Sequence, residues 1–258
     1  MAWLAPLALA FCANCPPKER TFPSQMKRFW VDNTRMATLH RNPFLAILLV
    51  CFLLPGGAAV ASHKKKPTPP GQFSYYLLVL SYAPDFCDQP QGVKDPRECG
   101  PGRRVGFIVH GLWPQGESSR GPENCGSAGT LSQAIIDATL KYVPTEALIQ
   151  HEWTAHGSCS GLNADDYFSA LRKARESVTV PADLDQPSQA LQLSPAEVEA
   201  KLAAANPSFP PAAFRTSCYK DNELQEVRIC LNKDLSARAC GASAGECSAA
   251  SLNLLPVR

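Results

Sequence analysis

The sequence offers no uninterrupted apolar run of the roughly 20 residues that a membrane-spanning helix needs. The apolar run Pro43 to Leu54 is 12 residues and is broken at once by Pro55-Gly-Gly57. There is no internal repeat, which excludes solenoids and propellers. Strong charge of either sign is missing too, with a formal net charge of +2 over 258 residues. A protein that grips nucleic acid by bulk charge is disfavoured. Histidine is scarce, with five in all, so where they fall carries information.

What the apolar run does suit is a secretory signal. Arg41 precedes it and Ala59-Val-Ala61 follows the break, giving a charged n-region, a short h-region and a small-x-small cleavage site. Cleavage is expected after Ala61, so 36–61 reads as the signal peptide and Met36 or Met26 as the functional start. Residues 1–35 then form an extension without a function of their own. Their Cys12-x-x-Cys15 pair lacks the second pair that a metal site would need. Residues 62–72, with Lys64-Lys-Lys-Pro-Thr-Pro-Pro-Gly71, read as a flexible leader, and 73–258 as one catalytic domain. From Ser62 onward 19 Lys and Arg face 21 Asp and Glu, a net of −2.

That mature part carries eight cysteines: Cys87, Cys99, Cys125, Cys159, Cys218, Cys230, Cys240 and Cys247. An even count in an exported chain implies disulfides, although spacing alone leaves their connectivity open. No two of the eight are two to four residues apart, which argues against structural zinc. Phe73 to Tyr82 is apolar on both alternating faces and predicts a buried strand ended by Pro84. Arg104 to His110 predicts a second strand, ended by Gly111 and Pro114 with His110 at its end. Asp88 to Arg103 and Gln115 to Gly129 read as loops. Helices are expected over Thr130–Lys141, from a Thr145 cap to Gly157, from Asn163 or Asp165 onward, and from the capping box Ser194-Pro-Ala-Glu197 to about Ala205. Phe214 to Tyr219 and Glu226 to Leu231 read as strands joined by a polar turn. Helices and strands mix without strict alternation, so the fold expected is α+β: a central antiparallel sheet flanked by helices in one disulfide-bonded domain.

Three of the five histidines, His110, His151 and His156, fall within 47 residues. The segment His151-Glu-Trp-Thr-Ala-His156 has the composition of a zinc-protease helix but not its spacing. A shared metal needs histidines four apart. Here they are five apart, roughly 140° around a helix, so no metal is expected and no other cofactor is implied. Glu152 and His156 are four apart and share a face. A carboxylate beside an imidazole suits acid–base chemistry.

Phe107-Ile-Val-His-Gly-Leu-Trp-Pro-Gln115 and His151-Glu-Trp-Thr-Ala-His-Gly-Ser-Cys-Ser-Gly161 resemble, in order and separation, the two active-site segments of the ribonuclease T2 family. Similar segments recur at Leu193 to Glu197, at Ala205 to Pro207 and at Glu226 to Leu231, so the resemblance covers about Phe73 to Cys240. It implies a secreted or periplasmic endoribonuclease, most simply a monomer. Its partner would be single-stranded RNA, cleaved with little base specificity, and neither DNA nor a membrane. The substrate's 2′-hydroxyl would attack the adjacent phosphorus and leave a 2′,3′-cyclic phosphate. The resemblance implies His156 as general base and His110 as general acid, with His151 on the phosphate and Glu152 steering His156 or stabilising the transition state. Trp113 either fills the core or stacks a base, and the resemblance favours stacking. Gln115 is a further candidate substrate contact, and Trp153 reads as core. The resemblance also implies the disulfides Cys125–Cys159, Cys87–Cys99, Cys218–Cys247 and Cys230–Cys240. One departure stands out. Ala155 occupies a position where the family motif carries lysine, which leaves a catalytically weakened RNA- or partner-binding protein as the alternative reading.

Overall fold

The computed structural model describes residues 68–257, which lie in one compact unit. The expected signal peptide, the extension before it, and the leader up to residue 67 fall outside the described residues. So do Cys12, Cys15, Cys51, His40 and His63. In chain order the elements are β1 (Tyr75–Tyr82), α1 (Ala83–Asp88), α2 (Pro96–Cys99), β2 (Phe107–Gln115), α3 (Gln133–Thr139), α4 (Glu146–Ala155), α5 (Ala164–Glu176), α6 (Ala182–Asp185), β3 (Leu191–Leu193), α7 (Pro195–Ala205), β4 (Phe214–Cys218), β5 (Leu224–Leu231) and β6 (Leu252–Leu254). Among the described residues no helix is long and apolar enough to cross a membrane.

Four strands form an antiparallel sheet in the order β2-β1-β5-β4, and β3 pairs with β6 in a small second sheet. The α+β class with a central antiparallel sheet and flanking helices is therefore observed. β1 is buried on both faces because each face has its own partner. Tyr76, Leu78, Leu80 and Tyr82 join the main core with Ile149 and Trp153 of α4, Tyr167, Phe168 and Leu171 of α5, and Val198 and Leu202 of α7. Tyr75, Leu77 and Val79 point the other way, into a smaller cluster with Cys230, Ala244 and the partly buried Trp113.

The helix starts follow local chemistry. Thr145 accepts from the Leu148 amide, Asn163 from Asp166, and Ser194 closes a full capping box with Glu197. Each such cap satisfies amide groups that the first turn would otherwise leave orphaned, and is worth about 1 kcal/mol. α3 is shorter than the expected Thr130–Lys141, because Ser132 caps it and the chain turns after Thr139. Pro84 ends β1 by starting α1 as one of its first residues. The buried Asp85 of α1 accepts from the amides of Leu224 and Leu255, fastening the start of β5 and the segment after β6.

β2 departs most from expectation. It does not end at His110 but continues to Gln115. Val109 pairs with Leu80 and Gly111 with Val79, so His110 is an extra residue without a partner: a β-bulge. In a regular strand, residues three apart face opposite sides. The extra residue cancels that alternation. Val109 and Leu112, three apart, both enter the main core. His110 and Trp113, also three apart, then share the opposite face, with rings 5.1 Å apart.

The eight cysteines form Cys87–Cys99, Cys125–Cys159, Cys218–Cys247 and Cys230–Cys240. Cys125–Cys159 joins the loop after β2 to the turn after α4. At a sequence separation of 34, it is worth about 4 kcal/mol on the chain-entropy account. The last residues of the expected leader are also tied down, since Gly71 donates its amide to the Cys159 carbonyl at 2.8 Å.

Candidate active site

The site forms where α4 packs beside the edge strand β2. His110 comes from the bulge, Trp113 from the same strand, and Glu152 and His156 from the last turn and C-cap of α4. Gly111 makes the approach possible. A Cβ there would collide with the Glu152 carboxylate and the Trp113 indole, so only glycine lets the helix side chain lie over the strand.

Trp113 ties the constellation together. Its Nε1–H donates to Glu152 Oε2 at 2.8 Å. Its ring stacks on the His156 imidazole with centroids 4.9 Å apart and planes 26° apart, and meets His110 edge-on. The indole is thus already engaged by three side chains before any base could stack on it. Glu152 Oε1 is buried with no hydrogen bond and lies 3.6 Å from His110 Nε2. A buried acceptor without a donor is costly to keep, which sets this oxygen apart from the core around it.

The two imidazoles live in opposite electrostatic settings. His156 is buried, and burial together with the positive charge of His110 and His151 lowers its pKa to about 4. Burial acts on His110 in the same direction, but the hydrogen bond from Nδ1 to Glu226 Oε1 (2.9 Å) and the charges of Glu152, Glu226 and Glu98 outweigh it. The net pKa is raised above the ordinary imidazole value. Burial pushes Glu152 up to about 7, against the pull of His110 and the Trp113 hydrogen bond.

The other candidates fall less centrally. His151 is exposed at the rim, one residue before Glu152. Gln115 is buried and its side-chain oxygen accepts from the Gly121 amide, so half of its amide is spent on the loop. Trp153 packs in the core. Ala155 is buried, and its carbonyl accepts from Asn124 in the loop after β2. Helical spacing puts Ala155 on the face of His151, yet one is covered and the other exposed.

Sequence reasoning missed Glu226 and its neighbour Arg228. They occupy alternate positions of the central strand β5, where Glu226 pairs with Ser81 and Arg228 with Val79 of β1. A buried charge in a central strand was the available signal. Among the described residues no group of three or more histidine, cysteine or acidic side chains has the arrangement of a metal site.

Comparison with known proteins agrees with this architecture. A ribonuclease of Aeromonas hydrophila is 29% identical over 191 residues, 74% of this chain and 85% of that protein. A probable ribonuclease of Haemophilus influenzae is 31% identical over 178 residues, 64% of this chain and 60% of that protein. Trichomaglin, described as an S-like ribonuclease, superposes with a TM-score of 0.58 at 19% identity, covering 72% of this chain and all of that one, which shows a shared fold. The sequence model of the Ribonuclease T2 family matches residues 73–240, well over half of the sequence, and the chain belongs to that family.

Proposed function

We propose that the protein is an endoribonuclease that cleaves single-stranded RNA by transphosphorylation, with His156 as general base and His110 as general acid. The observation that carries this reading is the pair of imidazoles on either side of Trp113 with pKa values displaced in opposite directions. Two titratable groups pushed apart by their surroundings mark the acid and the base. His156, lowered to about 4, is neutral at working pH and free to accept the 2′-hydroxyl proton. His110, raised, retains the proton that the departing 5′-oxygen requires.

The balance closes without further reagents. The 2′-oxygen bonds to phosphorus, the bond from phosphorus to the 5′-oxygen breaks, one proton goes to His156 and one leaves His110. A 2′,3′-cyclic phosphate and a 5′-hydroxyl end result. Because RNA supplies the nucleophile, no metal-activated water is needed, and DNA, lacking the hydroxyl, is not a substrate. Glu152 Oε1, 3.6 Å from His110, would hold a proton or charge between the imidazole and the phosphorane. His151 contacts the phosphate from the rim, Trp113 orients His156 and offers its remaining surface to a base, and Gln115 acts through the loop it holds. Four disulfides favour an oxidising compartment, secreted or periplasmic, and the protein would act as a monomer.

The test is cleavage of total RNA by purified Ser62–Arg258 in excess EDTA. Sustained cleavage with cyclic-phosphate ends is expected. Loss of cleavage that zinc or magnesium restores would refute the mechanism. Ala155 favours a second reading, a weakened protein that binds RNA without cutting it, and intact RNA under all conditions would decide for that one.

A further inference from the structure

The His110 imidazole has a second carboxylate on its far side. Glu226 stands on β5 and His110 on β2, with β1 between them. The residue of β1 that lies between is Ser81, the partner of Glu226 in the sheet. Its short side chain leaves His110 room to reach across, and its Oγ touches His110 Nδ1 at 3.3 Å. The contact His110 makes beyond it is the 2.9 Å hydrogen bond from Nδ1–H to Glu226 Oε1.

Glu226 is itself fixed. Its other oxygen accepts from Arg228 Nε at 3.1 Å and Nη2 at 2.9 Å, with Ser217 Oγ at 3.4 Å. Arg228 is anchored in turn by donating Nη1–H to the Ala244 carbonyl at 2.8 Å. The result is a chain of four groups, Ala244 carbonyl, Arg228, Glu226 and His110, on the face of the sheet that carries the site, with Glu226 buried and Arg228 and His110 half-buried. Burying such a pair gains little stability over apolar side chains of the same volume. What it does gain is a defined orientation for the group at its end.

We propose that Glu226, clamped by Arg228, is a positioning residue for His110: it accepts the hydrogen bond from Nδ1–H, turns Nε2–H to the cleft, and holds the imidazole as the proton donor. The proposal rests on the reading of His110 as general acid. Glu226 does not become protonated, because Arg228 holds it ionised. The proton that moves is the one on Nε2, and Nδ1–H stays where it is.

The charged neighbours of the imidazole bear on this. Glu226 faces it from β5, Glu152 from α4 and Glu98 from α2, while His156, at the C-cap of α4, has its own pKa lowered by the charge of His110. Glu226 is the carboxylate with both a hydrogen bond to the ring and a guanidinium of its own. The pKa displacements agree. Burial works to raise Glu226, and His110 and Arg228 overcome it and hold the carboxyl below the usual range.

The experiment is an NMR titration of the His110 ring in the wild type and in Glu226→Gln, alongside the pH dependence of kcat/KM on a dinucleotide. Glutamine keeps an acceptor for Nδ1–H and removes only the charge. An opposite charge at this distance shifts a pKa by about 1–3 units. The His110 titration and the alkaline limb of the profile are therefore expected to fall by about 1–2 units. Above neutral pH kcat should drop about tenfold per unit, with KM changed less than about twofold. Glu226→Asp keeps the charge and should restore most of the limb. An unchanged His110 titration in a folded Gln variant would overturn the proposal. So would failure of both variants to fold, which would assign Glu226 to sheet stability. The titration needs no substrate, so an inactive wild type would refute the proposed function and leave the positioning role to be decided by the ring.

Discussion

The strand-borne and helix-borne halves of the site carry the same side chain and treat it oppositely. His110, on the bulge of β2, is ringed by Glu226, Glu152 and Glu98. His156, at the C-cap of α4, meets an indole face and the positive charge of two other histidines. In the mechanism proposed, one half stores a proton and the other is kept empty to receive one. Residue identity says only that both groups titrate near neutrality. Which is acid and which is base comes from what the fold places around each.

Deleting either half should have the largest effect. His110→Ala and His156→Ala are each expected to lower kcat by about 10²–10⁴-fold, the usual worth of a general acid or base. Dinucleotide turnover with folding checked by circular dichroism measures it. Near wild-type turnover in either variant would take that residue out of its role.

The pH profile measures the contrast directly. The base must be unprotonated, so kcat/KM should rise with pH through about 4, the lowered value of His156. The acid must be protonated, so the rate should hold until pH passes the raised value of His110 and then fall. The two limbs belong to the free enzyme. An activity that climbs only above pH 6 would show that the base does not carry the lowered value of His156.

The halves also differ in how far they could be read from sequence. The helix half was legible. Thr145 announced the start of α4, and the four-residue spacing of Glu152 and His156 placed both toward the site. Side-chain capping and helical period are local properties, visible in a window of a few residues. The strand half depends on pairing between distant segments. The bulge at His110 shows in sequence only as apolar positions that step from Phe107 and Val109 to Leu112, and a turn after Gly111 explained that break as well. Glu226 is 116 residues from the histidine it bonds, and no periodicity connects them. The short strands β3 and β6 went unseen for the same reason, since each is three residues long and is defined by its partner.

Cys125–Cys159 offers a smaller test, because it braces mainly the helix half. Cys125→Ser with Cys159→Ser should cost about 4 kcal/mol of stability, read as a lower Tm. Below that Tm, the titration of His156 should broaden or shift while that of His110 holds. Equal disturbance of both would show that the halves are not mechanically distinct.

The smallest effect expected is at Ala155. A lysine there would add positive charge to the helix half. Ala155 is buried, so the lysine has to thread its stem out of the packing and emerge at the surface. Without a supporting shell, a gain in kcat of no more than about tenfold is expected, with less change in KM. Unchanged or reduced kcat in a folded Ala155→Lys variant would show that this site works without a cation there.

The Cys125–Cys159 disulfide beside the helix half also has a bearing on when the protein becomes dangerous. A nuclease made beside ribosomes threatens the RNA that encodes it. Here the loop after β2 is bound to the turn after α4 by a bond that forms only where thiols are oxidised. Until then the two histidines depend on noncovalent packing alone to stay in register, in a chain lacking all four of its cross-links. For the exported ribonuclease proposed above, compartment would thus act as a safety catch. The newly made chain is expected to be weakly active at best, and to acquire its full cutting power with oxidation, after it has left the RNA it must spare. Comparing turnover of reduced and oxidised protein at equal concentration would show how much of the restraint resides in the cystines.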